Sequence, residues 1–397
     1  MNGFFASVEL LDRPDLRDKP MAVAGDPNSR HGIILAKNEL AKKYGVTTAE
    51  TVWQAKKKCP GLQLVPSHHE KYKAYSIEIN KIYLRYTDLV EPFSIDESWL
   101  DVTRSQKLLG DGKTIADSIR ETVKKELGLT LSAGVSYNKI FAKMGSEYKK
   151  PDATTVITRD NYKQIIWPQD IGDMFFVGKA TAQKLKSVGI MTIGDMAITP
   201  RTTLISLLGK QGGVLYDYVN GLDTSPVNHY SHREPVKSVG NGITFRRNLE
   251  GIEDIKTALN ALSDTVATRL RNYALKAGGV KVDIKDPSFT TISRQKKLDY
   301  HTNSTLDIYH EALNILTSCW NIDKPIRLIT VTAINLEDEG ISSQLCMFKD
   351  SDDRLDNAMD SIRDRFGRES ISFGQVLKDD IGITREGNIQ DEKKDET

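Results

Sequence analysis

"PFSIDESWLDV", residues 92–102, places Asp96 beside Glu97 inside a run that otherwise favours β-structure. Neighbours in a regular strand point to opposite faces, so the two acids could not act at one point. A bend at Ile95–Glu97, joining two short strands, lets both carboxylates converge. Converging carboxylates repel unless a cation lies between them. The simpler alternative is a solvated hairpin turn, and the rest of the chain has to decide.

The 397 residues suffice for about two to four domains, and 39% hydrophobic with 27% charged content is that of a globular protein. No apolar run reaches the roughly 18 residues of a membrane span, and "MNGFFASVEL" lacks a signal peptide's basic start. The expectation is a cytoplasmic protein without a membrane partner. Cys59, Cys319 and Cys346 are far apart and read as reduced thiols. His68-His69-Glu70 reads as solvated helix surface rather than a metal site, because adjacent side chains on a helix diverge. The net charge of +1 conceals an asymmetry: residues 349–397 hold 9 Lys/Arg and 14 Asp/Glu, which leaves +6 on residues 1–348. That excess permits a polyanion partner without requiring one.

Along the chain, residues 1–66 mix strand-like runs with a basic helical stretch over 36–61. Residues 67–158 read α-β-β-α-β-α-β, an α+β pattern. Residues 166–231 break into short helices punctuated by Gly178, Gly189 and Gly194, then by Gly209, Gly212 and Gly213. A polar linker follows, and residues 236–336 read β-α-β-β-α-β, a four-stranded sheet with two helices. The remainder is acidic, with one helix candidate in "DRLDNAMDSIRDRFG".

"FFVGKATAQKLKSVGIMTIGD" has the rhythm of a helix-hairpin-helix, whose bare glycine amides face a DNA phosphate. An ordinary helical hairpin with glycine caps has the same rhythm. Taken in order, "FFASVE" at 4–9, "AKKYGV" at 41–46, "SIDESWLDV" at 94–102, "GVSYNKIFAKMGSEYKKP" at 134–151, the hairpin glycines and "KSVGNGIT" at 237–244 form a series. That series resembles the Y-family translesion DNA polymerases of the DNA polymerase IV and UmuC-like type, over residues 1 to about 348.

The resemblance implies an α+β right-hand polymerase. Its palm would occupy 1–12 and 67–165, its fingers 13–66 and its helix-hairpin-helix thumb 166–231. A βαββαβ little finger would span 236–338, and an acidic tail carrying a clamp-binding peptide 339–397. Asp96 and Glu97 would be the catalytic acids, and with Met1 the metal-site residues, holding two Mg²⁺ ions. Phe4 and Phe5 would lie at the nucleotide, with Phe5 as the steric gate under the sugar, and Lys42 and Lys150 would reach the triphosphate. Gly178, Lys179, Gly189, Arg246 and Arg247 would contact DNA, with Arg269, Arg271 and Lys281 as further phosphate neutralisers. "QLCMF" resembles the peptide that binds the bacterial sliding clamp, through Gln344, Leu345, Met347 and Phe348; its alternative is a last core strand. The implied partners are primer-template DNA, deoxynucleoside triphosphates and the clamp, with the chain a monomer.

Three departures accompany the resemblance. The family's first metal ligand is an Asp that ends an apolar strand just before the position of Met1, so the expectation is a palm lacking that strand and a chain of impaired activity. Ala36, Glu39 and Lys42 stand where many members carry Thr or Ser, Tyr and Arg. Phe175 and Phe176 replace the usual Pro-Gly of the first hairpin. Two alternatives to an active polymerase follow. One is a catalytically impaired homologue that binds damaged DNA and the clamp. The other is a nucleotide cyclase with a similar palm, for which tandem hairpins and a basic terminal sheet have no use.

Overall fold

The computed structural model describes residues 1–25, 32–339, 354–376 and 380–383. The chain divides into two units, Met1–Arg233 and Glu234–Thr397. In the first, α1 (Phe4–Asp12) leads into a sheet of β1 (Met21–Ala24), β2 (Ile34–Lys37) and β3 (Gln63–Pro66), ordered β2-β1-β3. The basic stretch over 36–61 is not one helix but two short ones, α2 (Glu39–Lys43) and α3 (Val52–Lys58). Gly45, at φ 77°, ends the first, and a capping box between Thr51 and Gln54 starts the second.

Helix α4 (His69–Tyr83) precedes the hairpin of β4 (Val90–Ser94) and β5 (Glu97–Leu100). Then come α5 (Gln106–Leu109), α6 (Gly112–Leu127), β6 (Ala133–Val135), α7 (Lys139–Tyr148) and β7 (Thr154–Val156). Asp111 caps α6 by accepting from Thr114 N at 2.7 Å, and Ile115, Ile119 and Val123 form its buried stripe. Asn138 caps α7 in the same way, accepting from Phe141 N at 2.8 Å. A side chain at Gly134 would collide with the Ala142 carbonyl, so this glycine sets how closely α7 lies on β6. The β4-β5 and β6-β7 pairs are separate two-stranded sheets. A cleft of about 460 Å³ is lined by β5, β6, α6 and Met1.

The glycine-punctuated region forms α8 (Tyr162–Ile165), α9 (Lys179–Lys186), α10 (Ile193–Ile198), α11 (Arg201–Leu208) and α12 (Lys210–Val219). Gly178 caps α9, and Gly189, at φ 87°, makes the turn beyond it. Gly212 and Gly213 serve a different purpose: both are buried, and a side chain at Gly212 would strike the Leu204 carbonyl. They allow α11 and α12 to pack rather than offering amides to a phosphate. The linker near residue 230 is fastened to the rest of its unit. Asn228 N donates to Glu91 Oε2 at 2.7 Å, and Tyr230 N to the Asp88 carbonyl at 3.3 Å.

The second unit contains β8 (Ser238–Leu249), α13 (Gly251–Asn272), β9 (Leu275–Lys285), β10 (Thr291–Thr302), α14 (Thr305–Cys319) and β11 (Ile326–Asp338). The sheet is antiparallel, ordered β10-β9-β11-β8, with α13 and α14 over one face. This is the βαββαβ arrangement of the sequence reading. Part of the acidic tail belongs to this unit. Helix α15 (Arg354–Phe366) buries Asp356, Met359 and Arg363. Arg363 forms a bidentate pair with Asp264 of α13 at 2.9 and 2.8 Å, and Asp356 Oδ2 accepts from Thr305 N at the start of α14 at 2.9 Å. Beyond it, Ile381 joins the core, and its carbonyl accepts from Arg246 N at 2.8 Å.

Candidate active site at the Asp96–Glu97 turn

Ile95 and Asp96 form the two-residue turn between β4 and β5, and Ser94 pairs with Glu97 across it. The bend inferred from the sequence is therefore present, and it carries both acids to one hairpin tip. Ser94 Oγ donates to Asp96 Oδ1 at 3.1 Å, which holds the turn. An aromatic cluster fixes the hairpin below the tip. Phe93 and Trp99 lie 4.8 Å apart, and Phe175 meets Phe93 edge-on at 5.6 Å. Phe175 thus braces the hairpin, while Phe176 takes φ 69°, a backbone region that suits glycine better.

Three lysines line the same cleft as the acids, two of which the sequence reading did not single out. Lys143 donates to Glu97 Oε1 at 2.5 Å and to Glu147 Oε1 at 2.8 Å. Lys150 reaches the same Glu147 oxygen at 2.7 Å, and Lys139 pairs with Glu91 at 2.6 Å. Burial opposes the charge on Lys143, but its hydrogen bonds to Glu147 and Glu97 outweigh this and raise its pKa. Burial likewise opposes a charged Glu147, and the two lysines outweigh it and lower that pKa. The available signal was spacing: Lys139, Lys143 and Glu147 recur every four residues along one face of α7. Met1 completes the cluster, its amino group donating to the Asp96 carbonyl at 2.9 Å.

Asp96, Glu97, Met1 and Lys150 therefore share one cleft. Phe5 is half-buried on α1, stacked on Tyr72 of α4 at 4.1 Å and 13°. Phe4 must be corrected: it is 4% exposed and sits in the core, where no nucleotide can touch it. Lys42 is exposed on α2 and lies 3.6 Å from Glu39, so each offsets the other's charge. His68 is not merely solvated, because its Nδ1 lies 2.9 Å from Glu9 Oε1. Gly178 and Lys179 are exposed at the start of α9, open to a phosphate.

In the second unit the basic residues separate. Arg246 is exposed, as a groove-facing cation requires. Arg247 must be corrected: its guanidinium is committed to Asp254 of α13 at 2.5 Å and to Asp380 at 2.7 Å. Arg271 is likewise engaged by Asp360 at 2.5 Å and by the Asn303 carbonyl at 2.8 Å. Arg269 donates to the Gly240 carbonyl at 3.2 Å. On the sheet face away from the helices, Gly240 pairs with Thr332 and Thr332 in turn with Lys281, while Gly242 pairs with Thr330 and Thr330 with Asp283. A side chain at Gly240 would stand 2.7 Å from Thr332 Oγ1, and one at Gly242 closer still to Thr330. The strip is glycine and threonine, flanked by Lys281, whose ammonium lies 3.1 Å from Asp283, so that part of its charge is already offset.

Among the described residues no helix is long and apolar enough to cross a membrane. The clamp-type peptide, Gln344 to Phe348, lies outside the described residues, as does Cys346.

The impB/mucB/samB family profile matches residues 1–147, and that of its C-terminal domain residues 236–345. The chain is 46% identical over 390 residues to a DNA polymerase IV of Acetivibrio thermocellus, covering 97% of this chain and 98% of that protein. It is 37% identical to DNA polymerase IV of Clostridium kluyveri, covering 95% of this chain and 97% of that one. With DNA polymerase IV 2 of Bacillus subtilis it shares 37% identity, covering 94% and 92%. The fold matches a solved Y-family DNA polymerase chimera of Dbh and Dpo4 with a TM-score of 0.73 and 24% identity, over 85% of this chain and 97% of that one. The chain belongs to the Y family of DNA polymerases and is a DNA-directed DNA polymerase.

Proposed function

We propose that the chain performs error-prone synthesis across template lesions, by attack of the primer 3′-hydroxyl on a deoxynucleoside triphosphate at a site where Asp96 and Glu97 would hold Mg²⁺. The bond from the 3′-oxygen to the α-phosphorus forms as the bond to pyrophosphate breaks. The observation that carries this reading is the placement of Asp96 and Glu97 at one hairpin tip, on a cleft that Lys143 and Lys150 also line. Their carboxylates are hard oxygen donors and fit a divalent cation. Among the described residues no third acid, His or Cys completes the group, so the donors fit one ion and a second needs a further carboxylate. Bound cations would supply Lewis-acid stabilisation of the phosphate charge. Lys150 neutralises the triphosphate, and Phe5 excludes a 2′-hydroxyl by filling the space beneath the sugar. Gly178, Lys179, Gly189, Arg246 and Lys281 hold the duplex backbone.

Primer extension opposite an abasic site, in Mg²⁺, tests this reading. The two-carboxylate donor set favours a second one, an impaired homologue that binds DNA without copying it. Tight primer-template binding without extension would establish that reading instead. We further propose that Leu345, Met347 and Phe348 anchor the chain to the sliding clamp, with Gln344 as its polar contact. Replacing Leu345 and Phe348 with Ala should weaken clamp binding by about 2 kcal/mol each and leave clamp-free extension unchanged.

A further inference from the structure

Glu9 is a carboxylate only 3% exposed, on α1 one turn beyond Phe5. A charge this deep is destabilising unless partners satisfy it, and an apolar residue would pack α1 against α4 more simply. Its partners are specific. Oε1 accepts from the Tyr72 hydroxyl at 2.5 Å and lies 2.9 Å from His68 Nδ1, while Lys71 Nζ stands 3.6 Å from Oε2. Tyr72 is fully buried, and the face of its ring carries Phe5 at 4.1 Å. Glu9 and Phe5 therefore grip one tyrosine, the first by its hydroxyl and the second by its ring. His69, the neighbour of His68 on α4, closes edge-on against Phe5 at 5.7 Å.

We infer that Glu9 is a positioning residue which, through the Tyr72 hydroxyl, fixes the tilt and depth of Phe5 and so sets discrimination between deoxy- and ribonucleoside triphosphates. The inference rests on Phe5 being the sugar-selecting ring. Without the hydroxyl bond, packing alone fixes the Tyr72 ring within its own plane, the direction in which an offset-stacked pair shifts most easily. Phe5 would follow, opening space for a 2′-hydroxyl. A shift below 1 Å suffices where selection is steric.

The experiment compares incorporation efficiency for deoxy- and ribonucleotides in the full chain, using Tyr72→Phe, Glu9→Gln and Phe5→Ala. Tyr72→Phe keeps the ring and loses only the hydroxyl; it should lower the deoxy-to-ribo ratio by about tenfold, chiefly by raising ribonucleotide incorporation. Glu9→Gln, which retains an acceptor, should fall between that variant and the parent. In the Phe5→Ala background, Tyr72→Phe should have no further effect on the ratio. If Phe5→Ala leaves the ratio unchanged, the gate assignment fails. If Phe5→Ala abolishes selection while Tyr72→Phe and Glu9→Gln lower only the melting temperature, Glu9 is structural and the inference is overturned.

Discussion

Lys143 holds Glu97: its Nζ lies 2.5 Å from Glu97 Oε1, in the position from which a cation would neutralise that carboxylate. The lysine is 16% exposed, so the contact is well shielded from solvent. A divalent ion bound by Glu97 has to displace or share this ammonium. In Lys143→Met, Glu97 would lose its ammonium partner and only the Met1 amino group, 3.6 Å from Asp96, would offset the two acids, costing about 1–2 kcal/mol in chelator. Mn²⁺ should then raise the melting temperature of the variant more than that of the parent. Thermal melts in EDTA and in Mn²⁺ provide the comparison, and equal gains would show that Lys143 does not compete with metal.

Asp96→Ala and Glu97→Ala should each abolish primer extension and leave DNA affinity within about threefold, because phosphate contacts elsewhere carry most of the binding. Fluorescence anisotropy with a labelled primer-template, run beside an extension assay, separates the two. Parallel loss of binding and extension would make the turn structural.

Acid should loosen the lysine cluster through Glu147. Its folded pKa is held below the ordinary glutamate value of 4.5, so its contribution is complete above that value and is lost as pH falls through the folded one. The effect is small, below about 1 kcal/mol, because the side chain is 47% exposed and screened by solvent. Urea melts between pH 7 and pH 3 should show a shallower decline for Glu147→Gln than for the parent.

β5 and β6, which belong to separate two-stranded sheets, line one cleft. β5 and β6 each pair on one side only among the described residues, and Ile115 and Ile119 of α6 contribute to its lining. Adding upstream of Met1 an apolar, β-prone segment of about 8 residues ending in Asp should pair with those edges. The expected outcome is a higher melting temperature together with tighter Mn²⁺ binding. An unchanged melt would mean that the cleft does not seat a strand.

Arg363→Ala should destabilise the second unit by about 3 kcal/mol, since it leaves Asp264 nearly buried without its partner. Calorimetry of the full chain reads this directly. An unaltered profile would place α15 outside the cooperative unit.

The packing of α15 was hidden in the sequence. α15 buries Asp356, Met359 and Arg363, so most of its inner face is charged and looks like solvated surface. Only the partners Asp264 and Thr305, far away in the chain, reveal that it is inner. Arg247 was a different kind of miss. Phe245 and Arg247 are two apart, so strand alternation already turns them to one side, and Phe245 is fully buried there. The acidic turn, by contrast, was legible, because two adjacent acids inside a β-prone run can serve one point only if the chain bends between them. Phe4 was misplaced because two adjacent rings on a helix cannot both face a ligand, and resemblance alone did not say which one turns inward.

Gly240 and Gly242, facing Thr332 and Thr330, have a mechanical meaning. A duplex laid on that strip would meet hydroxyls and bare backbone between Arg246 on one side and the Lys281–Asp283 pair on the other. Advancing by one base pair then exchanges one set of equivalent contacts for the next. Such a bearing would register that a backbone is present while remaining indifferent to which step of the helix lies above it.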